Sequence, residues 1–318
     1  QIYIDMPVKG QAAKSSEEIC YKGQIYNCTE EILMVSAKQQ FLGWESIKAQ
    51  VIVENETDRK ENGEGILLKP YGTAGIQIWM KMGERMVAGG HEDTQILIVS
   101  QGKKRVVQTI LLKTMKYLEH PFLYHDKEGW QAVKEKVTQD TNYQPVVQKL
   151  VDLFENWEVY MPEEGKPYCY PTQIEDAVMA SAYLYSITGE EKYAKKIALF
   201  LSYFSNLNTG YPKRLRGCSQ SYVQEGHFFS HLILAYDMIY DSCCMSIKEK
   251  KEFESCIRLY MDMLDNHIRE GHISNWLLSE ITGVVYGALV LGDMERAERF
   301  VFGNGGAVDQ FRYGIFND

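Results

Sequence analysis

Asn275 and Trp276 open a stretch, residues 271–293 (GHISNWLLSEITGVVYGALVLGD), that is apolar almost all round. An amide and an indole at the mouth of a buried helix suit a sugar, because the amide hydrogen-bonds and the indole stacks on a ring face. Glu280 lies one turn beyond Trp276 on the same face. A carboxylate inside an apolar helix is costly unless it is paired or faces water. The run YPKRLRGCSQSYVQEGH at 211–227 adds Lys213, Arg214 and Arg216, with Gln220, Tyr222 and Gln224 following. An arginine fork suits carboxylate or sulfate. His227 and His231 share one helix face at i,i+4, but Phe228, Phe229 and Ser230 lie between them, so the glutamate of a zinc-protease HExxH motif is missing and no metal is expected there. His272 is a further cleft candidate. Glu175, Asp176 and Glu225 are the carboxylates placed to act as a pair on inner helix faces. Each of these residues has a structural alternative: Asn275 as a helix cap, Trp276 and the histidines as core, Glu280 in a salt bridge, and the arginines on a solvated loop.

The elements that must position these groups follow from periodicity. A helix without a polar stripe is buried, and Gly283 and Gly287 within it weaken it unless a neighbour packs closely there. Upstream, EEILMVSAKQ, SIKAQVIVEN, GIQIWMKM, TQILIVSQ and KRVVQTILLK are short runs of β-branched and aromatic residues separated by turn formers such as Asn62-Gly63 and Gly89-Gly90. They predict a β-sandwich over residues 1–115. Residues 116–318 predict helical hairpins. Turns recur at Ser186-Ile187-Thr188-Gly189, Tyr240-Asp241-Ser242 and Val290-Leu291-Gly292-Asp293, about fifty residues apart, which is the length of a two-helix repeat. TGEEKYAKKI and LGDMERAERF match in their glycine stop and acidic helix start. The expected fold is multidomain α+β: a β-sandwich followed by an incomplete α/α toroid.

Composition narrows the class. A net charge of −9 over 318 residues argues against a nucleic-acid partner. No apolar run reaches the roughly 18 residues needed to span a membrane. The chain opens on Gln1 rather than Met, so it reads as processed or trimmed, with any export signal removed from view. The seven cysteines form no CxxC pairs. Cys20 and Cys28 are candidates to close a small loop, and the adjacent Cys243 and Cys244 read as two unpaired thiols at a helix turn. Asn27-Cys28-Thr29 and Asn55-Glu56-Thr57 match the glycosylation sequon, a pattern that arises often by chance.

Three segments together resemble the heparinase II/III-like polysaccharide lyases and their alginate-lyase relatives: HPFLYHDKEGWQAVKEKV at 120–137, SQSYVQEGHFFSHLILAYDMIYD at 219–241, and NWLLSEITGVVYGALVLGD at 275–293 with FGNGGAVDQFRYGIFND at 302–318. The resemblance implies cleavage of a uronic-acid-containing glycan by β-elimination. Removing the C5 proton builds charge on the neighbouring carboxylate, so the enzyme needs a neutraliser, a base, and an acid for the leaving oxygen. It supports Asn275 as neutraliser, and the positions of His272 and His227 make them the catalytic candidates beside it. Trp276, Arg214, Arg216, Gln220, Tyr222, Gln224 and Glu280 would contact substrate. The family's catalytic tyrosine follows an Asp-Gly pair and is expected beyond Asp318, with further β-structure downstream. Tyr313 is near enough to approach the site but is not expected to be the base. No cofactor is expected, and a structural divalent metal belongs only to a further C-terminal domain. The partner is an anionic polysaccharide, and the location is secreted or periplasmic. Two rivals remain: an α/α-barrel glycoside hydrolase using paired carboxylates, and a non-catalytic glycan-binding protein.

Overall fold

The computed structural model describes residues 1–41, 50–170, 174–211, 221–269 and 273–315. The chain divides into two compact units, Gln1–Leu118 with Leu291–Arg296, and Glu119–Val290 with Ala297–Asp318. Its class is α+β with separate strand-rich and helix-rich parts.

The first unit holds the strands β1 (Ile2–Asp5), β2 (Gly10–Ala13), β3 (Glu18–Asn27), β4 (Leu33–Phe41), β5 (Gln50–Glu54), β6 (Arg59–Glu61), β7 (Gly65–Leu68), β8 (Thr73–Lys81), β9 (His91–Gln101) and β10 (Arg105–Lys116). They form two sheets, ordered β1-β3-β8-β5-β6 and β2-β10-β9-β4-β7. Pairing is antiparallel except for β10 beside β2. Strict alternation decides which face is buried: Ala74, Ile76, Ile78 and Met80 point inward from β8, and Ile96 and Ile98 from β9. Both sheets contribute to one apolar core, which makes the unit a sandwich. Buried Tyr21 of β3 donates its hydroxyl to the Lys113 carbonyl of β10 at 3.0 Å, tying the sheets together.

All five sequence-predicted runs contain strands; β1, β2, β6 and β7 are additions to them, and so is the longer β3. Gly23 interrupts its inward series of Ile19, Tyr21 and Ile25, yet it is needed there: a Cβ would lie 2.5 Å from the Asp5 carbonyl oxygen of β1. The proposed loop between Cys20 and Cys28 does not form, and both are free thiols. Cys20 lies within β3 and Cys28 just after it, and at about 3.3 Å per residue an extended strand holds them far apart. Asn27 is buried, with its amide donating to the Glu31 and Lys69 carbonyls, so its sequon is a turn-locking device.

The second unit holds α1 (Lys127–Gln139), a short 3-10 turn (Thr141–Tyr143), α2 (Gln144–Glu155), α3 (Ile174–Thr188), α4 (Glu191–Phe204), α5 (Ser221–Ile239), α6 (Ile247–Arg269) and α7 (Asn275–Val290). Then follow α8 (Met294–Phe302), which begins within the segment grouped with the first unit, α9 (Ala307–Gln310) and a wide turn (Phe311–Ile315). The helices α3, α5 and α7 carry apolar residues all round and pack in a row, while α4 and α6 lie outside them. The outer helices are amphipathic: Phe253, Cys256, Ile257, Tyr260, Met261 and Leu264 form the buried stripe of α6. Gly189 and Gly292 follow α3 and α7 with φ of 75° and 69°, the left-handed stop that the repeated turns predict. This two-layered series of αα-hairpins agrees with the incomplete α/α toroid expected from the sequence.

Candidate functional site at the amino end of the inner helices

The glycines of α7 explain how the inner helices approach one another. A Cβ on Gly226 of α5 would lie 2.6 Å from Glu280 Cα and 2.8 Å from the Ser279 carbonyl oxygen. Gly283 returns the contact, its Cβ position lying 2.9 Å from the Gly226 carbonyl oxygen and 2.5 Å from the Tyr260 hydroxyl. Farther along, Gly287 faces Ile257, Met261 and Ile233. The pairing of 226 with 280 and of 233 with 287 makes α5 and α7 parallel, so their amino ends share one side. Tyr170, just ahead of α3, stacks on Phe228 of α5 at 5.5 Å and brings the start of α3 to the same side.

Asn275 and Trp276 are exposed at this end of an otherwise buried helix, with Trp276 at 47%. The capping alternative for Asn275 falls to Ser274, whose hydroxyl accepts from the Leu277 amide at 3.2 Å. Ser274 is itself held by Gln310, whose side-chain carbonyl accepts the Ser274 amide at 2.9 Å and whose amide donates to Gly305 at 3.0 Å. The core alternative for Trp276 is excluded by its exposure. Gly314 approaches Ile273, two residues before Asn275, which brings Tyr313 (54% exposed) and Arg312 toward this end.

Glu280 is buried, and its carboxylate meets His267 Nδ1 at 2.8 Å, so it takes the salt-bridge alternative. The imidazole of His267 is about a third exposed and connects the buried acid to solvent. Burial pushes the Glu280 carboxyl up from the ordinary carboxylate range, and the hydrogen bond and charge of His267 pull it partly back. Tyr260 donates to the Glu280 carbonyl at 3.2 Å and stacks on Phe229 at 4.0 Å. Burial raises the Tyr260 phenol well above its usual value, with Tyr211, Glu280 and Glu225 adding to the shift. Glu225 is fully buried and also helps to raise the Cys256 thiol, whose main cause is burial. Glu175 is buried at the first turn of α3, and its Oε2 has no hydrogen-bond partner among the described residues. Each inner helix thus carries a buried glutamate in its amino-terminal half, and Glu175, in the first turn of α3, is the one the helix dipole favours as an anion.

His227 is exposed beside the α5–α7 crossing, not a core histidine. His231, half-buried, lies against it with ring centroids 4.3 Å apart and donates Nδ1 to the His227 carbonyl at 2.7 Å. Gln224 is half-buried on α5. Tyr222 lies on α5, its side chain outside the described residues, as are Lys213, Arg214, Arg216, Gln220 and His272 altogether. Tyr236 and Asp237 are both buried and hydrogen-bonded: Tyr236 to Glu254 at 2.9 Å, and Asp237 to His120 Nδ1 at 2.6 Å and to the Phe122 and Leu123 amides. Sequence reasoning missed His267 and Gln310, because neither spacing nor local pattern links them to α7.

No protein-family profile and no curated protein matches the chain. Solved structures match parts of it at low similarity. A family 123 glycoside hydrolase from Clostridium perfringens, described for glycolipid glycan hydrolysis, is 9% identical over 40% of this chain and 29% of that chain, with a TM-score of 0.27. The major pilin subunit of Bacillus cereus is 13% identical over 36% of this chain and 40% of that one, at 0.25. The periplasmic chaperone SfaE is 8% identical over 40% and 61%, at 0.23. This chain spans less than a third of the hydrolase, and likenesses at these TM-scores carry no activity across.

Proposed function

We propose that this protein is a polysaccharide lyase that cleaves a uronic-acid-containing glycan by β-elimination. The observation that carries the reading is Asn275, an exposed amide at the mouth of a buried inner helix that Ser274 relieves of capping duty. In the reaction the C5 proton leaves, its electron pair forms the C4–C5 double bond, the C4–O bond breaks, and the leaving oxygen takes a proton. The Asn275 amide neutralises the charge that develops on the uronate carboxylate, an effect typically worth about 10²–10³ in rate. Trp276 offers a ring face to a neighbouring sugar. His227 and Tyr313 are the exposed imidazole and phenol to be tested in proton transfer. An exported location, secreted or periplasmic, accompanies this reading.

A second reading draws on the buried glutamates. Glu175, Glu225 and Glu280, one on each inner helix, are the carboxyl groups an α/α glycoside hydrolase would need, and the raised Glu280 carboxyl has the character of a general acid. Its bond to His267 and its lack of exposure favour a structural role instead.

The test is product chemistry on alginate, heparan sulfate, chondroitin and hyaluronan. Elimination leaves an unsaturated uronate that absorbs in the ultraviolet, one for each new reducing end. New reducing ends without absorbance would establish hydrolysis in its place. Retention of the protein by a glycan with neither product would establish a binding protein.

A further inference from the structure

At the far end of the inner helices, two hairpin turns bring three metal-ligating groups together. Glu191 is the first residue of α4, just after the α3–α4 turn, and Cys243 and Cys244 lie in the α5–α6 turn. The Cys243 thiol donates to Glu191 Oε1 at 3.2 Å, and the Cys244 thiol lies 3.9 Å from the Glu191 carbonyl oxygen. One donor atom from each of the three residues lies within 4.8 Å of the other two. The α5 helix, nineteen residues and about 28 Å long, separates this cluster from the Asn275 end.

We propose that Glu191, Cys243 and Cys244 form a binding site for a thiophilic divalent cation of the zinc type, which ties the two turns together. Tetrahedral zinc with Zn–S of about 2.3 Å and Zn–O of about 2.1 Å sets its donor atoms roughly 3.6–3.8 Å apart. The 3.2 Å separation of Cys243 Sγ from Glu191 Oε1 and the 4.8 Å limit on all three donor pairs bracket that range, and side-chain rotation closes the remainder. Two thiolates select a soft or borderline ion over calcium or magnesium. Three protein ligands leave a fourth position for water.

The surroundings fit the same chemistry. Lys195 pairs with the other carboxylate oxygen, Glu191 Oε2, at 2.8 Å, which orients the carboxylate and leaves Oε1 toward the thiols. Binding exchanges two thiol protons for one M²⁺ and forms two metal–sulfur bonds, with no change of oxidation state.

The experiment uses the full chain, metal-stripped and kept reduced with a phosphine, titrated with Cd²⁺ and with Zn²⁺ in competition. Expected are a thiolate-to-cadmium charge-transfer band saturating at one ion per chain, release of two protons per ion, and a thermal midpoint that rises with zinc. Cys243→Ser and Cys244→Ser should each abolish the band, and Glu191→Gln should weaken binding about tenfold or more. Cys20→Ser and Cys28→Ser should leave the band unchanged. Survival of the band in the Cys243→Ser/Cys244→Ser double variant would overturn the assignment, and so would failure of the folded, reduced protein to bind one ion at micromolar concentration.

Discussion

Replacing Gly226 with alanine tests whether the α5–α7 crossing builds the candidate site. The new methyl would sit 2.6 Å from Glu280 Cα, 2.8 Å from Glu280 N and 2.8 Å from the Ser279 oxygen. Ordinary carbon contacts lie at about 3.5–4.0 Å, so the helices must part by about 1 Å. These neighbours are backbone atoms and cannot swing aside, which places the overpacking cost near the top of the usual 1–3 kcal/mol. Alanine recovers about 1 kcal/mol of helix propensity over glycine. The difference is a net loss of about 2 kcal/mol. With a urea slope of about 2 kcal/mol/M, the midpoint should fall by roughly 1 M, followed by far-ultraviolet circular dichroism. Parting the helices also shifts the amino end of α7, which carries Asn275, relative to α5, so on the lyase reading glycan cleavage should fall with stability. An unchanged or higher midpoint would show that the two helices do not touch at Gly226, and the placement of Asn275 beside α5 would fail with it.

Other outcomes follow from the same contacts. Asp237→Ala removes the acceptor of His120 and of two backbone amides in a buried setting, and should cost about 3–5 kcal/mol in chemical denaturation; a loss below 1 kcal/mol would mean that the segment around His120 is not anchored there. Glu280 has a folded-state pKa above its unfolded value, so its stabilising contribution is complete below the unfolded pKa and is lost as pH rises through the folded one. Glu280→Gln should therefore gain on the wild type from the ordinary carboxylate range upward, and parallel stability curves from pH 4 to 7 would refute that. Tyr21→Phe should cost about 1–2 kcal/mol, because the Lys113 carbonyl loses its cross-sheet donor; an unchanged unfolding midpoint would rule the bond unimportant.

Much of the helical unit was legible because glycine has few reasons to occur inside a buried helix. Gly283 and Gly287 announced close packing, and Gly189 and Gly292 announced left-handed stops. What the pattern could not supply was the partner. Gly226 meets Glu280, and His267 meets the same glutamate from α6, through contacts set by how three helices cross. Cys243 reaches Glu191 from fifty-two residues away for the same reason. Ser274 took the capping role because its hydroxyl, one residue earlier, is the one positioned to accept from Leu277. In the sandwich, β3 was hidden by Gly23, which reads as a turn former locally but serves the approach of β1.

The most direct test of the lyase reading compares Asn275→Ala with Ser274→Ala, measuring kcat/KM by ultraviolet absorbance and the unfolding midpoint side by side. Asn275→Ala should lose at least about 100-fold in rate while stability moves by less than about 0.5 kcal/mol. Ser274→Ala should lose about 1 kcal/mol of stability as a missing helix cap. Full elimination activity in Asn275→Ala, or a stability loss in it that matches Ser274→Ala, would contradict the assignment of the amide to the chemistry.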